Sequence, residues 1–263
     1  MAAASDALVR IHTENGIATI TLNQREQRNS LSMAMLEALS KVFEQVAGDG
    51  SVRVVVLAAA GKVFCAGHDL REMREQFDSY DFQLRLFRQC SKVMQQIVNL
   101  PIPVIARVAG VATAAGCQLV ASCDLAVAEK GARFATPGVN IGLFCSTPMV
   151  ALSRNVSRKH AMEMLLTGEL VDAARAEQIG LINRSVDPDV LDETVYAMAA
   201  TIAGKSGHTL KIGKQAFYRQ LEMPLAEAYN YTANVMAENM QASDAREGIS
   251  AFLEKRNPDW RHK

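Results

Sequence analysis

The chain has 263 residues, about half of them apolar (49%), with 28 basic and 28 acidic side chains. That suits one large domain with a sizeable core, or one domain with a helical appendage. Zero formal net charge provides no long-range field to draw in DNA, RNA or an anionic membrane, so neither a nucleic-acid nor a membrane partner is expected.

Five cysteines, Cys65, Cys90, Cys117, Cys123 and Cys145, form no CxxC pair and no Cys/His set at metal-ligand spacing. The odd count argues against a disulfide framework and against zinc, and no metal site is expected. The first residues, MAAASDALVRIH, hold neither an apolar run of signal-peptide length nor an Arg/Ser-rich amphipathic stretch. No segment approaches the roughly 20 apolar residues that span a bilayer. A cytoplasmic protein is expected, or a mitochondrial-matrix one if a transit peptide has been removed.

In chain order, Leu8–His12 and Ile17–Leu22 flank Thr13-Glu14-Asn15-Gly16, where Asn-Gly favours positive φ, and so predict a hairpin. Met33, Leu36, Leu39, Phe43 and Val46 recur at helical spacing from about Ser32, with Gly48 as a left-handed cap. Val52–Ala59 is a continuous Val-rich run, which suits a strand buried on both faces. The same unit returns as a helix over Phe82–Val98, stopped by Pro101 and Pro103, and a strand at Val104–Val108. A small-residue helix over about Ala112–Ser122 then leads to strands at Asp124–Ala128 and Phe134–Thr136. Helices follow at Ser157–Thr167, closed by Gly168, and Asp172–Ile179, closed by Gly180. Leu181–Val186 predicts a late strand, and the pattern is helical from Leu191 to Lys255. The expected class is α/β: a core of alternating ββα units over residues 1–190 and a helical region over 191–263.

Two loops carry candidate chemistry. Phe64-Cys65-Ala66-Gly67-His68-Asp69-Leu70 follows a strand, and its small residues would let a ligand approach main-chain N–H groups. Pro103–Gly110 runs into Val111-Ala112-Thr113-Ala114-Ala115-Gly116-Cys117-Gln118, a strand and small-residue turn opening a helix. A helix start offers unpaired N–H donors and partial positive charge. Tight connection and close helix packing explain the same small residues equally well.

Together these loops resemble the crotonase (enoyl-CoA hydratase/isomerase) superfamily. The resemblance covers nearly the whole chain: Leu22-Asn23 with Arg28-Asn29-Ser30-Leu31, Ala161–Gly168, Ala176 with Gly180-Leu181-Ile182, and Glu247-Gly248-Ile249 with Ala251–Arg256. It implies a crotonase-type spiral of ββα units with a helical C-terminal trimerisation region, and an acyl-coenzyme A ligand. Members hold the thioester oxygen between two backbone N–H groups, which here would be those of His68 and Ala115. Backbone donation survives whatever the side chain. Ala66, Gly67, Gly116, Gln118, Gly138 and Cys145 would line the reacting group. Gln27, Arg28, Asp69 and Leu70 would meet coenzyme A, with Phe252 and Lys255 reaching its nucleotide end from a neighbouring subunit of a homotrimer or hexamer. No cofactor is implied beyond the coenzyme A of the substrate.

Hydratases of the family carry one glutamate on the helix after the second loop and another after a Phe-x-x-Pro strand. The matching positions here are Gln118 and Gly138, and neither can titrate. No Asp or Glu occurs between Asp81 and Asp124, or between Glu129 and Glu163, so no carboxylate stands in. General acid–base groups contribute roughly 10²–10⁴ each, so hydration should be severely weakened. Three roles remain open: a weak or altered enzyme of fatty-acid or related acyl-CoA metabolism, an acyl-CoA carrier or sensor, and a scaffold or RNA-binding relative. The altered stretch Gly142-Leu143-Phe144-Cys145-Ser146-Thr147-Pro148 makes Cys145 a candidate nucleophile, its pKa lowered by a nearby helix start, against the plainer reading of a small core residue. His68 is read as a structurally satisfied imidazole ahead of a proton carrier, and Asp124 as structural. Restoring both glutamates is expected to confer hydration if the pocket is otherwise that of a hydratase.

Overall fold

The computed structural model describes residues 7–263; the leader reading made on residues 1–6 lies outside them. Strands β1 (Val9–Glu14) and β2 (Ile17–Leu22) form the expected antiparallel hairpin. Only Asn15 and Gly16 separate them, both at positive φ (51° and 76°), as a tight primed turn requires. Helix α1 (Met33–Gly48) starts where the Ser32 hydroxyl accepts the Met35 N–H at 3.2 Å. Its end differs from expectation: Gly48 is the last helical residue, without positive φ. Asp49 turns the chain instead, its carboxylate accepting the Ser51 N–H and hydroxyl at 2.8 and 2.6 Å.

Three windings follow. The first contains β3 (Val54–Ala59), β4 (Val63–Cys65), α2 (Leu70–Glu75) and α3 (Tyr80–Asn99). The second contains β5 (Val104–Val108), β6 (Val111–Thr113) and α4 (Ala115–Ser122). The third contains β7 (Leu125–Glu129), β8 (Arg133–Ala135), α5 (Pro148–Asn155) and α6 (Arg158–Thr167). Then come β9 (Val171–Asp172), α7 (Ala173–Gln178) and β10 (Arg184–Val186). The first strand of each winding joins a six-stranded sheet ordered β1-β2-β3-β5-β7-β10, and the second joins a four-stranded sheet ordered β4-β6-β8-β9. This is the α/β spiral of ββα units. Gly168 and Gly180 follow α6 and α7 at positive φ, as expected.

Two boundaries are corrected. The helix expected from Ala112 starts at Ala115, because residues 111–113 pair with both β4 and β8 as β6. The late strand is cut to residues 184–186, where β10 meets β7.

Strand β3 is buried on both faces, and its alternate residues enter different cores. Val55 and Leu57 face the core between sheets and helices. Val54 and Val56 face the other side, with Ile105 and Val127, and are covered by Leu191, Val195 and Ala199. Those three lie on one stripe of α8 (Leu191–Ala203), which is followed by α9 (Gly207–Gln220), α10 (Leu225–Asn239) and α11 (Ser243–Glu254). Burial of each Leu or Val contributes roughly 1.5–3 kcal/mol.

Helix α9 is tied to the sheets by a buried cation. Lys214 Nζ donates to the Ile97 and Ile102 carbonyls at 2.9 and 3.1 Å and to Asp124 Oδ2 at 2.7 Å. Asp124 also accepts the Val104 N–H at 2.7 Å and the Tyr218 hydroxyl at 2.9 Å. Removing one partner of a buried, fully bonded pair strands the other. Lys214→Ala is therefore expected to lower unfolding free energy by about 3–5 kcal/mol in urea denaturation, and an effect under about 1 kcal/mol would refute this role.

Candidate functional site

Strands β4, β6 and β8 are adjacent and parallel, so the loops leaving their carboxyl ends emerge side by side. That end of a parallel sheet is where α/β folds receive ligands. Two hydrogen bonds lace the loops together. The Thr113 hydroxyl donates to the Ala66 carbonyl at 3.2 Å, and the Ala114 N–H donates to the Ala135 carbonyl at 2.9 Å.

The first two loops meet through bare backbone. Gly67 takes φ +90°, and a Cβ there would lie 2.9 Å from Ala114 Cβ and 3.1 Å from the Thr113 carbonyl oxygen. A Cβ on Gly116 would lie 2.1 Å from the Cys65 carbonyl oxygen, which no packing adjustment accommodates. Between these contacts Ala114 holds φ 51° and ψ −119°, a region that costs an L-residue of order 1–3 kcal/mol. The strain turns the chain from β6 into α4, whose first residue is Ala115. An N–H at that position has no partner within its own helix. The peptide joining Gly67 to His68 thus leaves from a point in contact with residues 113–115, and the expected donors His68 and Ala115 come from these two touching segments.

The His68 ring is half satisfied, which departs from the satisfied imidazole expected. Its Nδ1 lies 3.2 Å from the Leu31 carbonyl oxygen, so Nδ1 carries the proton and Nε2 the lone pair. Nε2 is buried without a partner. The ring packs edge to face on Phe87 of α3, centroids 5.3 Å apart. Burial pushes its pKa below the ordinary imidazole value, with the Leu31 bond acting weakly in the opposite sense.

Gln118 is buried on α4 with Oε1 unpartnered, and the Thr136 hydroxyl just after β8 is likewise buried and unpartnered. Gly138 is enclosed. A Cβ there would stand 2.5 Å from the Leu143 carbonyl oxygen and 3.0 Å from Cys145 Sγ. The altered stretch folds back through Leu143 N–H donating to the Gly138 carbonyl at 2.9 Å, so it fills the volume that a glutamate at 138 would need. The geometry needed for restoring both glutamates is therefore absent.

The expectation for the Cys145 pKa is also corrected. Burial raises it, while a hydrogen bond from the Gly138 main chain pulls weakly the other way. Helix α5 does start nearby, but its Met149 N–H donates to the Cys145 carbonyl at 2.9 Å. Cys65 and Cys117 are pushed up to about 12, chiefly by burial. All five cysteines are free and buried.

Arg28 is brought to the first loop, and Gln27 precedes it exposed on the surface. The Arg28 carbonyl accepts the Ala66 N–H at 3.1 Å, and the Leu31 N–H donates to the Gly67 carbonyl at 2.8 Å. Asn29, fully buried, pins that turn by donating to the Ala60 and Val63 carbonyls at 2.9 and 2.8 Å. Asp69 caps α2, accepting the Arg71 N–H at 2.9 Å, and Leu70 is exposed beside it. Phe252 and Lys255 stand apart on the exposed end of α11, with Phe252 82% exposed. Sequence reading missed Phe87, Thr136 and Leu143. Thr136 carried a signal as the polar residue in Phe134-Ala135-Thr136-Pro137, and Leu143 one as part of the altered stretch 142–148.

The α/β spiral, with neighbouring loops leaving the strand ends side by side, defines the fold class. The Enoyl-CoA hydratase/isomerase family model matches residues 12–263, and the chain belongs to that family. It is 48% identical over 248 residues to human "Enoyl-CoA hydratase domain-containing protein 3, mitochondrial", covering 94% of this chain and 82% of that one. The Xenopus laevis protein of the same name is 46% identical over 255 residues, covering 97% and 86%. Among solved structures, an enoyl-CoA hydratase from Mycobacterium smegmatis superposes with a TM-score of 0.95 at 54% identity, covering 97% of this chain and 99% of that one.

Gly138→Glu, alone or with Gln118→Glu, is expected to lower stability by about 1–3 kcal/mol through overpacking and to add no hydration of crotonyl-CoA. A stable double variant that hydrates would refute the plug at Leu143–Cys145.

Proposed function

We propose that the chain binds acyl-CoA thioesters with the carbonyl oxygen on the His68 and Ala115 N–H groups, as an enoyl-CoA hydratase/isomerase-like protein in which hydration has been lost or severely weakened. The observation that carries this reading is the contact of Gly67 and Gly116 with the neighbouring loop, which brings two donor segments together. Losing one such donor typically costs ~10²–10³ in rate, so a retained pair still matters for any reaction at the carbon beside the carbonyl. Coenzyme A would run past Gln27, Arg28, Ala66, Asp69 and Leu70. A second reading, an acyl-CoA carrier or sensor, is favoured by Gln118 in place of a carboxylate and by the enclosure of Gly138.

Phe252 and Lys255 fit this reading as contributions from another copy. Leu225, Tyr229, Phe252 and Leu253 on α10 and α11 are each more than 70% exposed, and apolar side chains left this open are available to a second copy. A homotrimer or hexamer that buries this face is therefore part of the proposal. Names of the vertebrate relatives specify mitochondria, which favours the matrix over the cytoplasm for this chain too. Among the described residues no helix is long and apolar enough to cross a membrane.

Titration of the protein with crotonyl-CoA in a calorimeter separates binding from turnover. A saturable heat returning to baseline is expected. Sustained heat proportional to protein concentration would mean hydration proceeds without the usual glutamates, and absence of any heat across temperatures would remove the thioester reading.

A further inference from the structure

Three loops form the site, and their titratable side chains are few. Cys65 and Cys117 are held as thiols by burial, and burial raises the Cys145 pKa as well. Asp69 is engaged as a helix cap, accepting main-chain N–H groups of Arg71 and Glu72 at 2.9 and 3.4 Å. Gln118 has no acid–base chemistry, and Gly138 has no side chain.

His68 is different in kind. The Leu31 carbonyl fixes its Nδ1–H tautomer, which leaves the Nε2 lone pair as an acceptor. That atom is buried and has no partner among the described residues. Phe87 supports the ring from α3, so its orientation is set by packing as well as by the hydrogen bond. A buried acceptor left unsatisfied is costly, and an arriving proton or donor would relieve that cost.

We propose that His68 is the proton-transfer residue of this site, its Nε2 removing and returning a proton at the carbon next to a bound thioester carbonyl. The inference rests on the acyl-CoA reading above and goes beyond it. The ring belongs to the same residue whose N–H holds the carbonyl oxygen, so base and oxyanion donor are delivered together. In the forward step the C–H bond breaks, its electron pair passes into the thioester as an enolate held by the His68 and Ala115 N–H groups, and the proton moves to Nε2. The reverse step returns a proton to the same carbon, or to the γ-carbon of an unsaturated chain, which moves the double bond. No oxidant, water or second residue is consumed. The roles of a carboxylate base are thereby taken by a neutral base, and hydration, which needs a second group to activate water, is not.

The test is deuterium uptake from D₂O into butyryl-CoA, followed by mass spectrometry, with binding of the same compound measured by calorimetry. The wild-type protein is expected to bind it and to label the carbon beside the carbonyl. His68→Asn keeps an amide donor for the Leu31 carbonyl but lacks Nε2. It should bind with little change and label at least ~10²-fold more slowly. His68→Gln serves as the second variant if the first unfolds, with the same expected loss. For the wild type the base must be neutral and its pKa is depressed. The rate should therefore be flat above the ordinary imidazole range and fall only on the acid side. Binding without labelling, or labelling by both variants at the wild-type rate, overturns His68 alone. A rate that climbs only at alkaline pH overturns it in favour of a thiol. Failure to bind butyryl-CoA at all removes the acyl-CoA reading and this proposal with it.

Discussion

The structure depends on a place where no side chain fits. At Gly116 a single methyl group would lie 2.1 Å from the Cys65 carbonyl oxygen. Only hydrogen there lets the start of α4 rest on the end of β4, and that contact helps bring two loops from different windings together. Gly67 repeats the requirement from the other side, at φ +90° against Ala114 and Thr113. The strain at Ala114 is the local cost of turning from β6 into α4 within one residue, and the sheet hydrogen bond from its N–H to Ala135 helps hold it. Backbone positions fixed this tightly suit a site whose main-chain N–H groups do the work.

Around that pair the polar inventory has been neutralised. Where hydratases of the family carry two glutamates, this chain offers a buried amide and a glycine roofed by Leu143 and Cys145. The change at 138 is more than a substitution, because Leu143 and Cys145 occupy the space beside it and the Leu143 N–H is bonded to the Gly138 carbonyl. On the site loops and α4, His68 Nε2, Gln118 Oε1 and Thr136 Oγ1 are buried without partners among the described residues. Each can exchange hydrogen bonds, and only the imidazole is a base, its pKa lowered by burial. Such a centre is suited to binding or to reversible proton movement at carbon, and poorly suited to adding water.

Much of the fold was legible because its signals are local. The Asn15-Gly16 turn, the helix start near Ser32, the two-sided burial of Val54–Leu57 and the prolines before β5 each follow from short-range chemistry. Strand β6 was hidden, since Val111-Ala112-Thr113 has helix-compatible small residues and becomes a strand only by pairing with β4 and β8. The same holds for Gly48, overridden by the Asp49 turn. At the site, the backbone donors and missing carboxylates could be read by resemblance to the family. The partners of individual atoms could not. Nothing in the chain order places Phe87 against His68 or the Leu143 carbonyl against Gly138, because both contacts join segments brought together by the windings. Cys145 misled for a related reason: its proximity to a helix start is visible in sequence, and the burial that outweighs it is not.

The central claim is that a thioester carbonyl is polarised by the N–H groups of His68 and Ala115. Infrared difference spectroscopy of butyryl-CoA labelled with ¹³C at the carbonyl measures that polarisation without requiring turnover. A carbonyl stretch shifted to lower frequency on binding, with the shift retained in His68→Asn because the donor is main chain, is the result this account requires. A bound thioester whose stretch matches that in water would contradict it.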